Sequence, residues 1–109
     1  MRLIVAFFVS VALLGGVARA VEKPRYEVEA ENKSRHEIHI GIRDGYRSLS
    51  IAMSPMSTES RDYETSATTV GVFILCTTRY VHHVLHIQPR RKVIRVTVDA
   101  NCGEHVSNT

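Results

Sequence analysis

The sequence predicts an all-β protein, a small antiparallel β-sandwich of six to seven strands. Its architecture would be immunoglobulin-like with Greek-key connections, or a partly open barrel. Three observations predict this class. Apolar residues after residue 20 recur at every second position, and polar turns separate the short apolar segments. No segment in that region combines a helical period with capping residues. The region has 89 residues, which suits one domain.

Residues 1–20 have the pattern of a cleaved secretory signal peptide. Residues 1–2 form a short basic start, residues 3–17 an apolar run, and residues 18–20 an Ala-Arg-Ala cleavage site. An uncleaved membrane anchor is the alternative. A spanning helix needs about 20 consecutive apolar residues, whereas this run is shorter and contains two glycines. The sequence therefore predicts a periplasmic or secreted protein without stable membrane insertion after cleavage, whose single domain covers residues 21–109.

Cleavage changes the charge of the protein. Loss of Arg2 and Arg19 lowers the number of lysines and arginines from 14 to 12, against 11 acidic residues. The mature net charge is then +1 rather than +3. The basic character of the precursor is thus no argument for nucleic-acid binding, and we expect no nucleic-acid partner.

The first predicted strands lie between residues 25 and 53. Residues 25–31 alternate apolar residues with a row of glutamates, which is typical of a half-buried strand. Residues 36–43 place three isoleucines on one face. Asp44-Gly45 suits a tight hairpin turn, and residues 46–53 form the return strand.

The central part of the chain is less regular. Residues 54–66 are rich in Ser, Thr and charge, which indicates a long connection with at most a short edge strand near residues 61–64. Residues 68–78 contain an apolar run on both faces, so we expect a central strand that is covered on both sides. A buried helix is the weaker alternative, because β-branched residues and flanking threonines favour the strand.

Two further strands follow. Residues 80–88 alternate, residues 89–91 form a turn, and residues 92–99 return with apolar side chains inward. Residues 101–103 turn again. The polar tail after them is expected to be frayed.

The two cysteines, Cys76 and Cys102, are predicted to form one disulfide. In an oxidising compartment a lone pair in a small domain most simply pairs with itself. Two free or intermolecular thiols are the alternative. A redox-active pair is disfavoured because no Cys-x-x-Cys spacing is present.

Histidines suggest an alternative function as a zinc- or copper-binding protein. Five of the six lie in two predicted strands, and a site would have to combine His82, His86 and His39. His82 and His86 share a strand face but are too far apart to chelate one ion without a ligand from a neighbouring strand. The simpler interpretation places His39, His82 and His86 on a solvent-exposed face and makes His83 a partly buried, hydrogen-bonded core residue.

Basic residues form the other candidate site. Arg90, Arg91 and Lys92 lie at one hairpin tip, with Arg95 close behind. Such a tip could bind a protein or an anionic envelope component, although charged turns also serve solubility. Two other candidate interaction surfaces are the connection over residues 54–66 and any unpaired sheet edge, which could accept an added strand.

Sequence signatures of catalysis and of tightly bound cofactors are absent. The chain has no Gly-x-Ser-x-Gly turn, phosphate-binding loop or two-cysteine metal knuckle. We therefore expect a non-catalytic binding module without a cofactor, of the kind that serves as an inhibitor, an immunity protein or an assembly accessory. An envelope enzyme is a third possibility. The triplet Asn32-Lys33-Ser34 matches a glycosylation acceptor, which matters only in a eukaryotic host.

Overall fold

The computed structural model describes residues 23–109, and the predicted signal peptide at residues 1–20 lies outside them. The described residues form eight strands and no helix: β1 (Arg25–Asn32), β2 (Ile38–Arg43), β3 (Ser48–Met53), β4 (Ser57–Glu64), β5 (Thr69–Cys76), β6 (Arg79–His86), β7 (Val93–Val98) and β8 (Glu104–Asn108). This confirms the predicted all-β class. No helix long and apolar enough to cross a bilayer occurs within this part of the chain.

The strands form two packed sheets of four. The first sheet has the order β4-β1-β7-β8 and the second sheet the order β3-β2-β5-β6. All neighbours pair antiparallel except β1 and β7, which run parallel. The sandwich is therefore mixed rather than purely antiparallel.

Alternating apolar residues build the core between the sheets. In β1 the inward positions are Tyr26, Val28, Ala30 and Asn32, and all four are buried. The isoleucines of β2 occupy the equivalent positions in the second sheet. Successive side chains of a strand point to opposite faces of the sheet. This period of two therefore fixes the pairing register of each strand, because a slip by one residue would expose its apolar side chains.

Two predicted loop segments are strands. Residues 57–64 of the expected long connection form β4, which includes and extends the short edge strand expected near residues 61–64, and the tail expected to fray contains β8. Both are edge strands with few apolar residues, so their sequences carry little of the alternation that predicts a strand. The total is eight strands rather than six or seven.

The hairpin between β2 and β3 is wider than predicted. Gly45 has a φ of 100°, in keeping with the turn expected at Asp44-Gly45. The Asp44 carboxylate accepts hydrogen bonds from the backbone N–H groups of Tyr46 and Arg47. These bonds hold residues 44–47 as a turn, so β3 begins at Ser48 and not at Tyr46.

A disulfide joins the two sheets, as the sequence predicts. Cys76 ends β5 of the second sheet, and Cys102 precedes β8 of the first. Near it, the buried Asn32 at the end of β1 donates hydrogen bonds to the carbonyls of His36 and Ser54. Both amide hydrogens of Asn32 are used inside the fold, so this side chain is structural and offers no site for a glycan.

Candidate interaction surface

The outer faces of the two sheets differ in charge. The strands of the first sheet contain seven acidic residues, whereas those of the second sheet contain none. In the first sheet, Glu27, Glu29 and Glu31 point outward from β1, and Glu29 pairs with Arg95 at 2.8 Å. Positively charged side chains on the outer face of the second sheet thus have no acidic side chain beside them in the strands of that sheet.

Aromatic and apolar side chains lie on the outside of β5 and β6. We call this surface the aromatic face; it consists of Arg43, Phe73, Leu75, Tyr80, His82 and Val84. The register of the β5–β6 pair places its members side by side: Phe73 lies opposite His82, and Leu75 opposite Tyr80. Cross-strand neighbours of this kind are about 4.5–5.5 Å apart at Cβ, so the side chains form one continuous patch.

Three flat groups are stacked within the aromatic face. The His82 ring lies parallel to the Phe73 ring with 4.3 Å between centroids, and the Arg43 guanidinium lies 4.5 Å from the Phe73 centroid. A Cβ at Gly71 would lie 3.1 Å from both His82 Nε2 and Phe73 Cε1. The missing side chain at Gly71 therefore leaves the space that these two rings occupy.

A shallow groove of about 430 Å³ adjoins this stack. Its floor is formed by Gly41, Ser50 and Ala52, and its walls include His39 and Tyr80. The groove exists because small side chains occupy the outward positions of β2 and β3 at this point. A Cβ at Gly41 would lie 3.9 Å from its nearest neighbours, which is ordinary contact distance. The groove can therefore hold an inserted side chain.

Large apolar side chains of the aromatic face are exposed to solvent. Val84 is 64 % exposed, Tyr80 59 % and Leu75 37 %. They are three of the five most exposed large hydrophobic residues in the described part of the chain, and they occupy adjacent strands. Contiguous exposed apolar surface rimmed by polar groups is typical of an interaction site. The expectation that β5 is covered on both sides is wrong for the part of the chain that the structure describes: the inner face of β5 is buried, but no layer within residues 23–109 covers its outer face.

A charged clasp fixes β6 against β8. Glu104 of β8 accepts hydrogen bonds from His83 Nε2 at 2.7 Å and from Arg79 at 3.0 Å. These bonds from His83 and Arg79 lower the pKa of the Glu104 carboxyl to about 2. His83 is a half-exposed partner in this clasp, which corrects its placement in the core. The hydrogen bond between His83 and Glu104 does not involve the outward side chains of β6, which remain exposed.

The predicted basic tip does not form one patch with Arg95. Arg90, Arg91 and Lys92 are exposed between β6 and β7, where Lys92 lies 6.0 Å from the centroid of the Tyr26 ring. Arg95 points instead from the outer face of the first sheet and pairs with Glu29. The tip is therefore an exposed charged turn that is separate from Arg95.

The candidate metal ligands share a sheet face but do not converge. His39 lies on β2, whereas His82 and His86 lie on β6, with β5 between them. Two strand spacings amount to about 9.5 Å, which exceeds what two ligands of one ion allow. His82 is engaged against Phe73. Within residues 23–109 no three His, Cys, Asp or Glu side chains gather as a metal site would require.

Two histidine–carboxylate pairs bear on the enzyme alternative. His83 contacts Glu104, and His105 lies 3.4 Å from Asp99. Among residues 23–109 neither histidine has a hydrogen bond to a serine hydroxyl, so neither pair has a nucleophile in place. The geometry gives these pairs a structural use.

Sequence reasoning missed most of the aromatic face. It treated Phe73 and Leu75 as covered, and it treated Tyr80 and Val84 only as one half of an alternation. One signal was available: both halves of the alternation in residues 80–88 contain an apolar residue, so one must face solvent unless a further layer covers it. Gly41 gave a second signal, because a glycine within a strand often marks a close approach or an open space.

Comparison with known proteins gives no match: no family model, no curated protein and no solved structure matches the chain.

Proposed function

We propose that this protein is an exported, non-catalytic binding module that recognises a protein partner through the aromatic face. The observation that carries the proposal is the exposure of Leu75, Tyr80 and Val84 together on adjacent strands. Leaving such side chains in water forgoes about 1.5–3 kcal/mol of burial each. A surface that retains them in a small domain is suited to being covered by a partner.

The chemistry of the face favours a protein over the anionic envelope component that the basic tip suggested. Tyrosine and arginine are enriched at the centres of protein interfaces, where they fill pockets and bind polar groups. Here Tyr80 stands beside a groove that can receive a partner side chain, and Arg43 is exposed next to it. A polyanion site would instead need several clustered lysines or arginines, and this face has only Arg43.

The N-terminal pattern and the disulfide support export. Residues 1–20 resemble a signal peptide, and a structural disulfide is typical of proteins that fold in an oxidising compartment. Expression of the full chain in a bacterium tests this part. We expect periplasmic protein that begins at Val21 by mass spectrometry. Intact protein that begins at Met1 in the cytoplasm or membrane would contradict export.

Affinity capture with matched tyrosine variants tests the binding face. Tyr80→Ser removes an exposed tyrosine from the face, and Tyr46→Ser removes one that is 93 % exposed in the β2–β3 turn. Oxidised mature protein carrying each change would be immobilised and exposed to the extracytoplasmic fraction of its native host. We expect a partner retained by the wild type and Tyr46→Ser, with retention reduced at least tenfold by Tyr80→Ser, since a central interface tyrosine is worth about 2 kcal/mol or more.

A second variant fills the groove without disturbing the fold. Gly41→Val adds a β-branched residue that suits a strand, at a position with room for its Cβ. Its stability should equal or exceed that of the wild type, while partner retention falls. Retention by Tyr80→Ser and Gly41→Val that equals retention by the wild type, or no specific partner for the wild type, would refute the proposed binding face.

A further inference from the structure

We infer that the partner presents an extended acidic segment that adds as a fifth strand to the free edge of β6. This inference rests on the proposed function and specifies the partner. Its basis is the backbone of β6, the chemistry of the side chains beside it, and the contrast between β6 and the other sheet edges.

The free edge of β6 presents an unused row of backbone hydrogen-bonding groups. The Ile87 N–H donates to the Thr68 carbonyl at 2.9 Å, which marks this pair as hydrogen-bonded. Bonded and non-bonded pairs alternate along an antiparallel ladder. With the register of β5 and β6, the bonded residues of β6 are then Arg79, Val81, His83 and Leu85. The N–H and C=O groups of the alternate residues, Tyr80, His82, Val84 and His86, point away from β5.

The same four residues carry the outward side chains. Tyr80, His82, Val84 and His86 are all exposed, so neither β8 nor a loop within residues 23–109 covers this edge. An added strand would therefore form main-chain hydrogen bonds and side-chain contacts with the same residues. This combination of backbone affinity and side-chain specificity is how strand addition operates in peptide-binding domains.

Prolines, lysines and bulges, which protect many edge strands against edge-to-edge pairing, are missing on β6. In many proteins, prolines, bulges, lysines or inward-pointing charges prevent the exposed edge of a sheet from pairing with another strand. The β5–β6 register is continuous over eight pairs without a bulge, and β6 contains no proline or lysine. On its inward side β4 carries Glu59 and Arg61, joined by an ion pair at 2.5 Å, whereas the inward charge of β6, on Arg79, is paired with Glu104 of β8 at 3.0 Å. The β6 edge is left open.

The other two edges offer less to a partner. β8 has only five residues, and the outward side chains of β3 are two serines and an alanine. Neither edge presents exposed aromatic or branched apolar side chains. β6 is the edge at which hydrogen-bonding groups and apolar surface coincide.

Charge defines the chemistry of the added strand. Along the edge, apolar Tyr80 and Val84 alternate with His82 and His86, and no strand of this sheet contains a carboxylate. Imidazole N–H groups and the nearby Arg43 can donate hydrogen bonds to carboxylates, and opposite charges on neighbouring strands attract each other. A partner strand that complements this edge would alternate acidic and apolar residues on the face that continues the outer face of the second sheet.

A peptide of that pattern serves as the probe. We would use a capped peptide, Glu-Thr-Val-Thr-Glu-Thr-Val-Thr-Glu, and a control in which each Glu is replaced by Lys. Titration into ¹⁵N-labelled, oxidised mature protein should show at least tenfold tighter binding of the acidic peptide. Equal binding of the two peptides, or no binding of the acidic peptide at millimolar concentration, would overturn the inference.

Paired substitutions at Val84 separate strand addition from contact through side chains alone. Val84→Pro removes an N–H that points to the free edge and is not needed by the β5–β6 ladder, so the fold should persist. Val84→Thr keeps the N–H and the branched shape. We expect Val84→Pro to weaken binding of the acidic peptide at least tenfold and Val84→Thr by less than threefold. Similar affinities for both variants would refute addition to this edge.

Amide hydrogen exchange provides a readout at individual residues. In the free protein, Val81, His83 and Leu85 should exchange slowly, and Tyr80, His82 and Val84 faster. The acidic peptide should protect the second group. Protection of β3 or β8 amides instead would assign the peptide to another edge and overturn the inference.

The outcomes distinguish this inference from the proposed function. Capture that depends on Tyr80 but is insensitive to Val84→Pro would refute strand addition and leave the proposed binding face standing. If the wild type is instead a dimer that Val84→Pro converts to a monomer, the occupant of the edge is a second copy of this chain, and the acidic-partner inference is wrong.

Discussion

Replacement of Asn32 by aspartate should strongly destabilise the sandwich, although the two side chains have nearly the same shape. The Asn32 amide donates to the carbonyls of His36 and Ser54 at 2.8 and 3.0 Å. Its oxygen accepts from the N–H and the hydroxyl of Ser34 at 3.0 and 2.7 Å. The side chain is 1 % exposed and all its hydrogen-bonding groups are used. It thereby joins the end of β1 to the loop between β1 and β2 and to the residue that follows β3.

The size of the effect follows from these contacts. An ionised carboxylate at position 32 has no donor, so one of its oxygens would face the carbonyls of His36 and Ser54 while buried. We expect Asn32→Asp to lower the free energy of unfolding at pH 7 by about 3–5 kcal/mol. Asn32→Ala, which leaves polar groups unpaired without adding charge, should cost about 2–4 kcal/mol. For a domain of this size, a loss of 3 kcal/mol lowers Tm by at least about 12 °C.

Urea unfolding of the oxidised protein at pH 7 and pH 4 would measure this effect. Only the neutral carboxyl can donate a hydrogen bond, so folding raises the pKa of the introduced aspartate. The stabilising protonated form is lost as the pH rises, and the penalty should therefore be larger at pH 7 than at pH 4. Asn101→Asp, the same change at an exposed position, serves as the control and should alter stability by less than about 0.5 kcal/mol. A loss under 1 kcal/mol for Asn32→Asp at pH 7, or a loss independent of pH, would refute the reasoning.

Two further predictions concern the links between the sheets. Replacing both Cys76 and Cys102 by alanine should lower the free energy of unfolding by about 3.5 kcal/mol, because the bridge closes a loop of 26 residues; a loss below 1 kcal/mol in urea unfolding would contradict this. Glu104→Gln should cost about 1–2 kcal/mol at pH 7, a value limited by solvent screening of the half-exposed His83 and Arg79. Because the folded-state pKa of Glu104 is lowered to about 2 from its ordinary 4.5, its contribution is present above pH 4.5 and is lost as the pH falls towards 2. The wild-type and Glu104→Gln stabilities should therefore converge between pH 5 and pH 2, and a constant difference would show that the ionised carboxylate is not responsible.

The sequence predicted those strands whose side chains alternate against a buried core. The isoleucines of β2 are examples, and so are Ile94, Val96 and Val98 of β7, since each of these residues is buried. It predicted only the second half of β4, as a short edge strand near residues 61–64, and it did not predict β8, because edge strands bury few side chains and their hydrogen bonds leave no mark on composition. The parallel pairing of β1 with β7 also escaped prediction, since it joins segments more than 60 residues apart and depends on how the whole chain closes.

The interaction surface was harder to predict than the fold for a related reason. A run of apolar residues in β5 is compatible with burial on both faces, and only the arrangement of the two sheets shows that no other element of residues 23–109 packs outside Phe73 and Leu75. Two of the predicted surfaces, the basic tip and the connection over residues 54–66, were chosen by charge and by loop position, and the third, an unpaired sheet edge, was predicted without naming a strand. Arg95 shows the weakness of that choice, because a charge near a turn in the sequence lies on a different face from the turn once the strand is formed.

The register of β5 and β6 gives the free edge its proposed use. In this register the outward side chains Tyr80, His82, Val84 and His86 belong to the residues whose backbone groups are unpaired. The acidic row of β1 has no such opportunity, because β1 lies between β4 and β7 and both of its sides are paired. A shift of the ladder by one residue would turn over the side chains and the backbone groups of β6 together, so the free edge would then present Arg79, Val81, His83 and Leu85 in place of the residues of the aromatic face. Specific strand addition at this edge therefore requires the observed parity, which makes the exchange rates of alternate β6 amides the most direct measure of whether the edge can serve a partner.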